Sequence, residues 1–76
     1  MKEISARFFG KAGSPKDEMV QSIFETHGGV FLCCKTHVGP AAPERDVCYE
    51  VPEDRFEACR SALKKAGARL EPASWH

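Results

Sequence analysis

The amino-acid sequence predicts an α+β fold in which four antiparallel strands form one sheet and two helices cover one face of it. The prediction depends on a pattern that occurs twice: a strand, an amphipathic helix that ends at glycine, and a second strand. The resulting order is strand, helix, strand, strand, helix, strand. A chain of 76 residues has room for one domain. We expect that domain to span residues 1–72, with residues 73–76 as a C-terminal tail.

The first half begins with a strand at Ile4–Phe9, and a helix start follows at Ser14 and Pro15. A serine hydroxyl can accept a hydrogen bond from an early backbone N–H, and proline suits the first helical position. Apolar residues then recur at spacings of one, three and four, which is typical of a helix with one buried face. These residues are Met19, Val20, Ile23, Phe24 and His27. Gly28 supplies the left-handed conformation that ends many helices.

The second helix follows Pro52 and ends before Gly67. Acidic residues occupy its first turn and lysines its last, which complements the helix dipole at both ends. Its predicted buried face consists of Phe56, Cys59, Leu63 and Ala66. The last strand follows at residues 68–71.

The two middle strands, at residues 30–37 and 47–51, are expected to form a hairpin across a turn that contains two prolines. Side chains alternate between the faces of a strand, so Val47, Tyr49 and Val51 share the side that faces the helices. The register should keep the apolar side chains of both strands on this same face, because a shift by one residue would turn one group of them to solvent. The predicted pairs are Leu32 with Val51, Cys34 with Tyr49, and Thr36 with Val47.

The face of the sheet that lies away from the helices, the outer sheet face, is expected to carry two aromatic rings and two thiols among charged residues. Its predicted members are Phe9, Phe31, Cys33, Cys48, Arg7 and Lys35. Exposed apolar patches often mark interfaces, so we expect a homodimer that buries this face, while scattered exposure stays open as the alternative. Trp75 in the tail either folds back over the sheet or anchors in a protein partner.

The composition argues against several classes of partner. Eleven basic and eleven acidic residues give a formal net charge of zero, so no charge excess favours nucleic acid or an anionic membrane. No apolar run reaches the length of about 20 residues that spans a bilayer. The N-terminal residues carry charges where a signal peptide would be apolar, which indicates a cytoplasmic protein. The four cysteines are therefore expected to be free thiols.

The sequence contains no catalytic motif, so we expect no enzymatic activity and no cofactor. Thiolates and imidazole suit zinc or copper, which makes Cys33, His37 and Cys48 the candidates for a metal site on the outer sheet face. Unligated cysteines are the favoured interpretation because no Cys-x-x-Cys pair is present. A cysteine nucleophile would need a nearby base, and Cys33 or Cys48 beside His37 is the only candidate.

The connection from the first strand to the first helix is a candidate anion site. It reads Gly10-Lys11-Ala12-Gly13-Ser14-Pro15, and its glycines allow backbone N–H groups to point into a concavity at a helix N-terminus. The predicted ligand-binding residues are Lys11, Gly13, Ser14 and Lys16. The order of residues is not that of a phosphate-binding P-loop, and an ordinary connection is the alternative.

The stretch from His27 to Glu71 resembles ACT domains, which are small ferredoxin-like regulatory modules that bind amino acids or related ligands. The resemblance lies in Gly28-Gly29-Val30, in Val51-Pro52-Glu53-Asp54 and in the helix end from Ala62 to Ala68. The Asp-x-Pro-Gly-like turn of the family is replaced by Gly13-Ser14-Pro15-Lys16, which keeps only the proline. The resemblance implies a dimeric regulatory module that binds a small carboxylate-bearing metabolite. The alternative is a protein-interaction or inhibitor module that acts through the outer sheet face, a strand edge or Trp75.

Overall fold

The computed structural model describes residues 1–40 and 42–71, so the predicted tail with Trp75 lies outside the described residues. The elements are β1 (Lys2–Phe9), α1 (Pro15–Thr26), β2 (Val30–His37), β3 (Glu44–Val51), α2 (Phe56–Lys65) and β4 (Arg69–Glu71). A single 3-10 turn, Glu53–Arg55, leads into α2. The four strands form one antiparallel sheet in the order β2-β3-β1-β4. The predicted ferredoxin-like α+β fold is confirmed.

Local sequence signals determine where the helices begin and end. The Ser14 hydroxyl caps α1 by accepting a hydrogen bond of 3.2 Å from the Asp17 amide, and Pro15 occupies the first turn. Gly28 and Gly67 follow the two helices with φ angles of +75° and +88°, a conformation that side chains with a Cβ rarely adopt. Each helix therefore ends at the glycine that the sequence predicts.

The hydrophobic core lies between the sheet and the helices. The Phe24 ring stacks on the Tyr49 ring with centroids 4.3 Å apart, and Val47 and Val51 are buried on the same face of β3. Helix α2 contributes Cys59 and Leu63. The prediction that alternate residues of β3 face the helices is confirmed.

The predicted register between β2 and β3 is wrong. Cys34 lies opposite Val47, two residues along β3 from its predicted partner Tyr49, and Cys33 lies opposite Cys48. The register also shifts between Phe31 and Cys33, as at a β-bulge, which adds one residue to β2. Pairing begins at His37 with Glu44, because β3 starts three residues earlier than the sequence pattern indicated. Alternation of side chains cannot reveal either the longer strand or the extra residue.

Two members of the predicted outer sheet face differ from the prediction: Phe31 lies on the other face, and Cys48 is buried. The bulge turns Phe31 to the side of the helices, where it lies opposite Tyr49 and its ring contacts the Tyr49 ring edge-on at 5.5 Å between centroids. Cys48 lies on the outer sheet face but is only 1% exposed. It is buried because β3 is a central strand, so that neighbouring residues on β1 and β2 cover its small side chain.

Strand β2 forms one edge of the sheet, and all eight of its residues are exposed. The residues that were predicted to face inward from this strand are therefore not part of the core; they are Val30, Leu32, Cys34 and Thr36. Within residues 1–40 and 42–71, no helix is long and apolar enough to cross a membrane.

Candidate functional site

The loop between β1 and α1, residues 10–14, holds three of the four predicted ligand-binding residues. Backbone hydrogen bonds shape it: the Gly10 amide donates to the Pro43 carbonyl at 2.8 Å, and the Ser14 amide donates to the Lys11 carbonyl at 3.1 Å. Gly13 has a φ of +79°, which favours glycine at this position. Lys11 and Gly13 are exposed, so the loop is a defined surface feature rather than part of the core.

The carboxylate of Asp17, in the first turn of α1, holds this loop in place through hydrogen bonds. Its Oδ2 accepts hydrogen bonds from the Gly13 amide at 2.9 Å and from the Gln21 side-chain amide at 3.1 Å. Its Oδ1 accepts a hydrogen bond of 3.1 Å from the Arg45 Nε. Asp17 is only 3% exposed, and its contact with Arg45 is buried, whereas its hydrogen bond to the exposed Gly13 is partly buried. One of the amides predicted to bind an anion thus already has a carboxylate partner within the chain.

Arg45 extends this arrangement into a network that spans three elements. It is 5% exposed on β3, and its Nη1 donates to the Thr36 hydroxyl of β2 at 2.9 Å. The Tyr49 hydroxyl, also on β3, donates to Gln21 Oε1 on α1 at 3.1 Å. The network therefore connects the loop and α1 to both strands of the hairpin.

The two charges at the centre of the network stabilise each other. Burial by itself would raise the pKa of Asp17, but the hydrogen bonds from the Gly13 amide and Arg45 outweigh it, so the pKa lies below the usual value. Burial would likewise lower the pKa of Arg45, but the interactions with Asp17 and, next, with Cys34 outweigh it, so this pKa lies above the usual value. Both groups are therefore charged at neutral pH, and the pair is neutral as a unit.

The sequence-based interpretation did not identify Arg45 as a site residue, because it assigned this residue to the turn before the strand. The sequence does contain one sign of the network, which is Asp17 at the third helical position. An acidic side chain there can reach back to the start of the helix. Nothing in the local pattern indicated a cation 28 residues further along the chain. The pairing becomes visible only when α1 is placed against β3.

The structure brings Lys11, Gly13 and Ser14 together in one loop but places the Lys16 side chain elsewhere. A Cβ added to Gly67 would lie 2.9 Å from the Lys16 Nζ, so this ammonium lies at the C-terminal end of α2. A cation is favourable there because of the helix dipole. The predicted ligand site therefore depends on Lys11 for its charge.

The three predicted metal candidates do not form one group. Cys33 and Cys48 lie opposite each other, whereas His37 lies opposite Glu44, four residues further along β2. Four residues of a strand span about 13 Å. Among residues 1–40 and 42–71, no three histidine, cysteine or acidic side chains are arranged to hold a metal ion.

Ion pairs cover much of the outer sheet face. Arg7 of β1 lies 3.4 Å from an oxygen of Asp46 and 3.5 Å from an oxygen of Glu44, both on β3. Arg69 of β4 donates to Glu44 at 2.6 Å, and the Ser5 hydroxyl donates to Asp46 at 2.8 Å. Burying this face in an interface would require removing water from these charges, which is costly.

Comparisons with known proteins support the fold. No protein-family model and no curated protein sequence matches the chain. Among solved structures, it is similar to a formyltetrahydrofolate deformylase from Pseudomonas putida KT2440, with a TM-score of 0.61 and 16% identity over 91% of this chain. It is also similar to the regulatory subunit of aspartate kinase from Thermus thermophilus, with a TM-score of 0.52 and 18% identity over 93% of this chain.

Both similar structures are longer than this protein, which spans 27% of the deformylase chain and 51% of the kinase subunit. At these identities the comparison concerns the fold. At that level the similar structures agree with the resemblance to an ACT domain.

Proposed function

We propose that this protein is a non-enzymatic regulatory module that binds a small carboxylate-bearing metabolite at the loop between β1 and α1 and acts as a homodimer. The observation that carries the proposal is the anchoring of this loop by the buried pair of Asp17 and Arg45. One of the similar structures is itself described as the regulatory subunit of an enzyme, which supports the regulatory role.

The buried pair prepares the loop for a ligand. A loop that is already ordered loses little conformational entropy on binding, so more of the contact energy contributes to affinity. Lys11 is exposed at its start and provides a positive charge, while the N-terminus of α1 adds a favourable field for an anion. Within the described part of the chain, the amides of Lys11 and Ala12 donate to no protein acceptor, which leaves them available to a carboxylate.

A thermal-shift screen of amino acids and small organic acids tests this ligand proposal. A ligand present at about 100 times its Kd stabilises the native state by about 2.7 kcal/mol, which is readily measured. We expect Lys11→Ala to abolish the shift and Lys64→Ala, which removes an exposed lysine at the end of α2, to preserve it. Absence of a shift with every compound at millimolar concentration would contradict the proposal.

The homodimer is proposed to form through the edge strand β2. This strand is exposed along its whole length and carries three large apolar side chains, Val30, Phe31 and Leu32. An unpaired strand edge presents backbone N–H and C=O groups to a second strand, and two copies of β2 can pair antiparallel about a two-fold axis. The outer sheet face is the less favourable surface because of its ion pairs.

Two matched substitutions distinguish these surfaces. Phe31→Asp places a charge on the edge strand, and Phe9→Asp places one on the outer sheet face at a residue that is 64% exposed. Analytical ultracentrifugation should show that Phe31→Asp dissociates the dimer and Phe9→Asp does not. Dissociation by Phe9→Asp alone would assign the interface to the outer sheet face, and a monomeric wild-type protein would refute the dimer.

The exposed edge of β2 also favours a second candidate function, an interaction or inhibitor module that adds a strand of a partner protein to its sheet. In this case Phe31→Asp or Trp75→Ala should abolish binding of a protein that the wild type binds specifically, while circular dichroism shows that the variant is folded. Binding that survives in both variants would exclude these two contact points.

A further inference from the structure

Two of the four cysteines lie directly opposite each other on the outer sheet face. Cys33 of β2 pairs with Cys48 of β3, and both are free thiols. Residues that lie opposite in an antiparallel pair have Cα atoms about 4.5 to 5.5 Å apart. A disulfide requires a Cα separation of about 4.4 to 6.8 Å, so this pair can be bridged without moving the backbone.

We propose that Cys33 and Cys48 form a reversible disulfide by exchange with a small-molecule disulfide of the glutathione type. The bond would connect the edge strand β2 to the central strand β3. This redox site is independent of the proposed ligand-binding loop, because it lies on the opposite face of the sheet from the Asp17 and Arg45 network.

The different exposure of the two thiols sets the order of the steps. Cys33 is exposed and Cys48 is only 1% exposed, so an external disulfide can reach Cys33 but not Cys48. The Cys33 thiolate attacks one sulfur of the reagent RS–SR, which forms a mixed disulfide and releases one RS⁻. The Cys48 sulfur then attacks the Cys33 sulfur, breaks its bond to SR and releases the second RS⁻. Two protein thiols are oxidised and the reagent is reduced to two RSH, with the two protons coming from the cysteines.

The surroundings of Cys48 protect it from other chemistry. Burial raises its pKa to about 12, with the neighbouring Cys33 and Glu3 contributing in the same direction. Its S–H group donates to Glu3 Oε2 at 3.6 Å, which holds the proton until the second step. Attack on the mixed disulfide is nevertheless favoured, because the two sulfurs are held side by side in one molecule.

The other two cysteines are unsuitable partners. Cys34 follows Cys33 in the chain but lies opposite Val47, on the side of the sheet that faces the helices. Cys59 is fully buried in the core on α2. The structure therefore predicts a single bond among the four thiols, and Cys34→Ser is a matched control for Cys33→Ser.

The experiment treats the protein with oxidised glutathione, blocks the remaining thiols under denaturing conditions, and analyses it by mass spectrometry. The wild type and Cys34→Ser should each lose two hydrogen atoms, and trypsin should yield peptides 17–35 and 46–55 linked together. Cys33→Ser should form no such link. Cys48→Ser should accumulate the mixed disulfide with glutathione at Cys33, because the second step is blocked.

A thermal measurement on the wild type provides a second test that requires no variant. The bond closes a loop of about 15 residues, so oxidation should raise Tm by about 10 °C or more, and dithiothreitol should reverse the increase. The proposal would be overturned if the wild type stopped at the mixed disulfide, if the bond formed between two chains, or if Cys34→Ser abolished the link. Each of these outcomes is independent of whether the loop between β1 and α1 binds a ligand.

Discussion

Strands β2 and β3 are neighbours of equal length, yet one is exposed throughout and the other is buried or half-buried throughout. Composition alone suggests that β2 should be the buried strand and β3 the exposed one. The β2 sequence, VFLCCKTH, is mostly apolar, whereas the β3 sequence, ERDVCYEV, contains four charged residues. The difference arises from position: β3 lies between two strands and beneath the helices, whereas β2 forms the edge. Burial in this protein therefore depends on the neighbours of a strand more than on its own hydropathy.

Three of the four charged residues of β3, namely Glu44, Arg45 and Asp46, form an ion pair with a residue of another element. Arg45 binds Asp17 of α1 on the helix side, and Asp46 lies beside Arg7 of β1 on the outer sheet face. The apolar residues of β2 have no comparable cover. This contrast identifies β3 as the structural centre of the domain and β2 as its exposed edge, which is the basis for the following predictions.

The largest expected effect is on the buried ion pair. Asp17→Ala should lower the free energy of unfolding by about 3 kcal/mol or more, because it leaves the Arg45 guanidinium buried without its counter-charge. Glu57→Ala is the matched control, since Glu57 pairs with Arg60 on the surface and such pairs contribute less than about 1 kcal/mol. Urea denaturation measures both. Equal effects for the two variants would show that the buried network does not stabilise the fold.

A pair of identical substitutions compares the two strands directly. Val47→Ala on β3 removes two buried methyl groups from a side chain with no exposed surface and should cost about 2 kcal/mol. Val30→Ala on β2, where the valine is 52% exposed, should cost less than about 0.5 kcal/mol in the monomer. Urea denaturation at low protein concentration gives both values. A large cost at Val30 in the monomer would contradict the exposed edge.

The smallest expected effect is a loss of stability at alkaline pH. Burial raises the pKa of Cys59 from 9.0 to about 11. At a pH above 9 the thiol ionises in the unfolded chain but not in the native protein, so stability is present below this pH and declines up to about pH 11. The loss at pH 10 should be about 1 kcal/mol.

Two variants isolate this contribution from the other groups that titrate at high pH. Cys59→Ala should reduce the slope of stability against pH in this range, whereas Ser61→Ala, which changes an exposed and non-ionisable side chain on the same helix, should leave it unchanged. Denaturation midpoints measured in steps from pH 8 to pH 11 provide the comparison. A parallel decline in wild type and Cys59→Ala would contradict the assignment.

Much of the fold was predictable because its signals are local. Ser14 and Pro15 predict the start of α1, and Gly28 and Gly67 predict both helix ends. The alternation in β3 correctly predicts which of its apolar residues face the helices. The site was predictable only in part, because the loop residues are contiguous in sequence whereas Arg45, which holds the loop through Asp17, is distant along the chain.

The sequence by itself determined the order of the elements, the ends of the helices and the face that β3 buries. These depend on backbone preferences and on side-chain alternation within one segment. Only the tertiary structure decided the register of β2, the exposure of its apolar residues, the pairing of Asp17 with Arg45 and the juxtaposition of Cys33 with Cys48. Each depends on which strands become neighbours and on one extra residue at a bulge, and these are properties of contacts between distant segments rather than of any single segment.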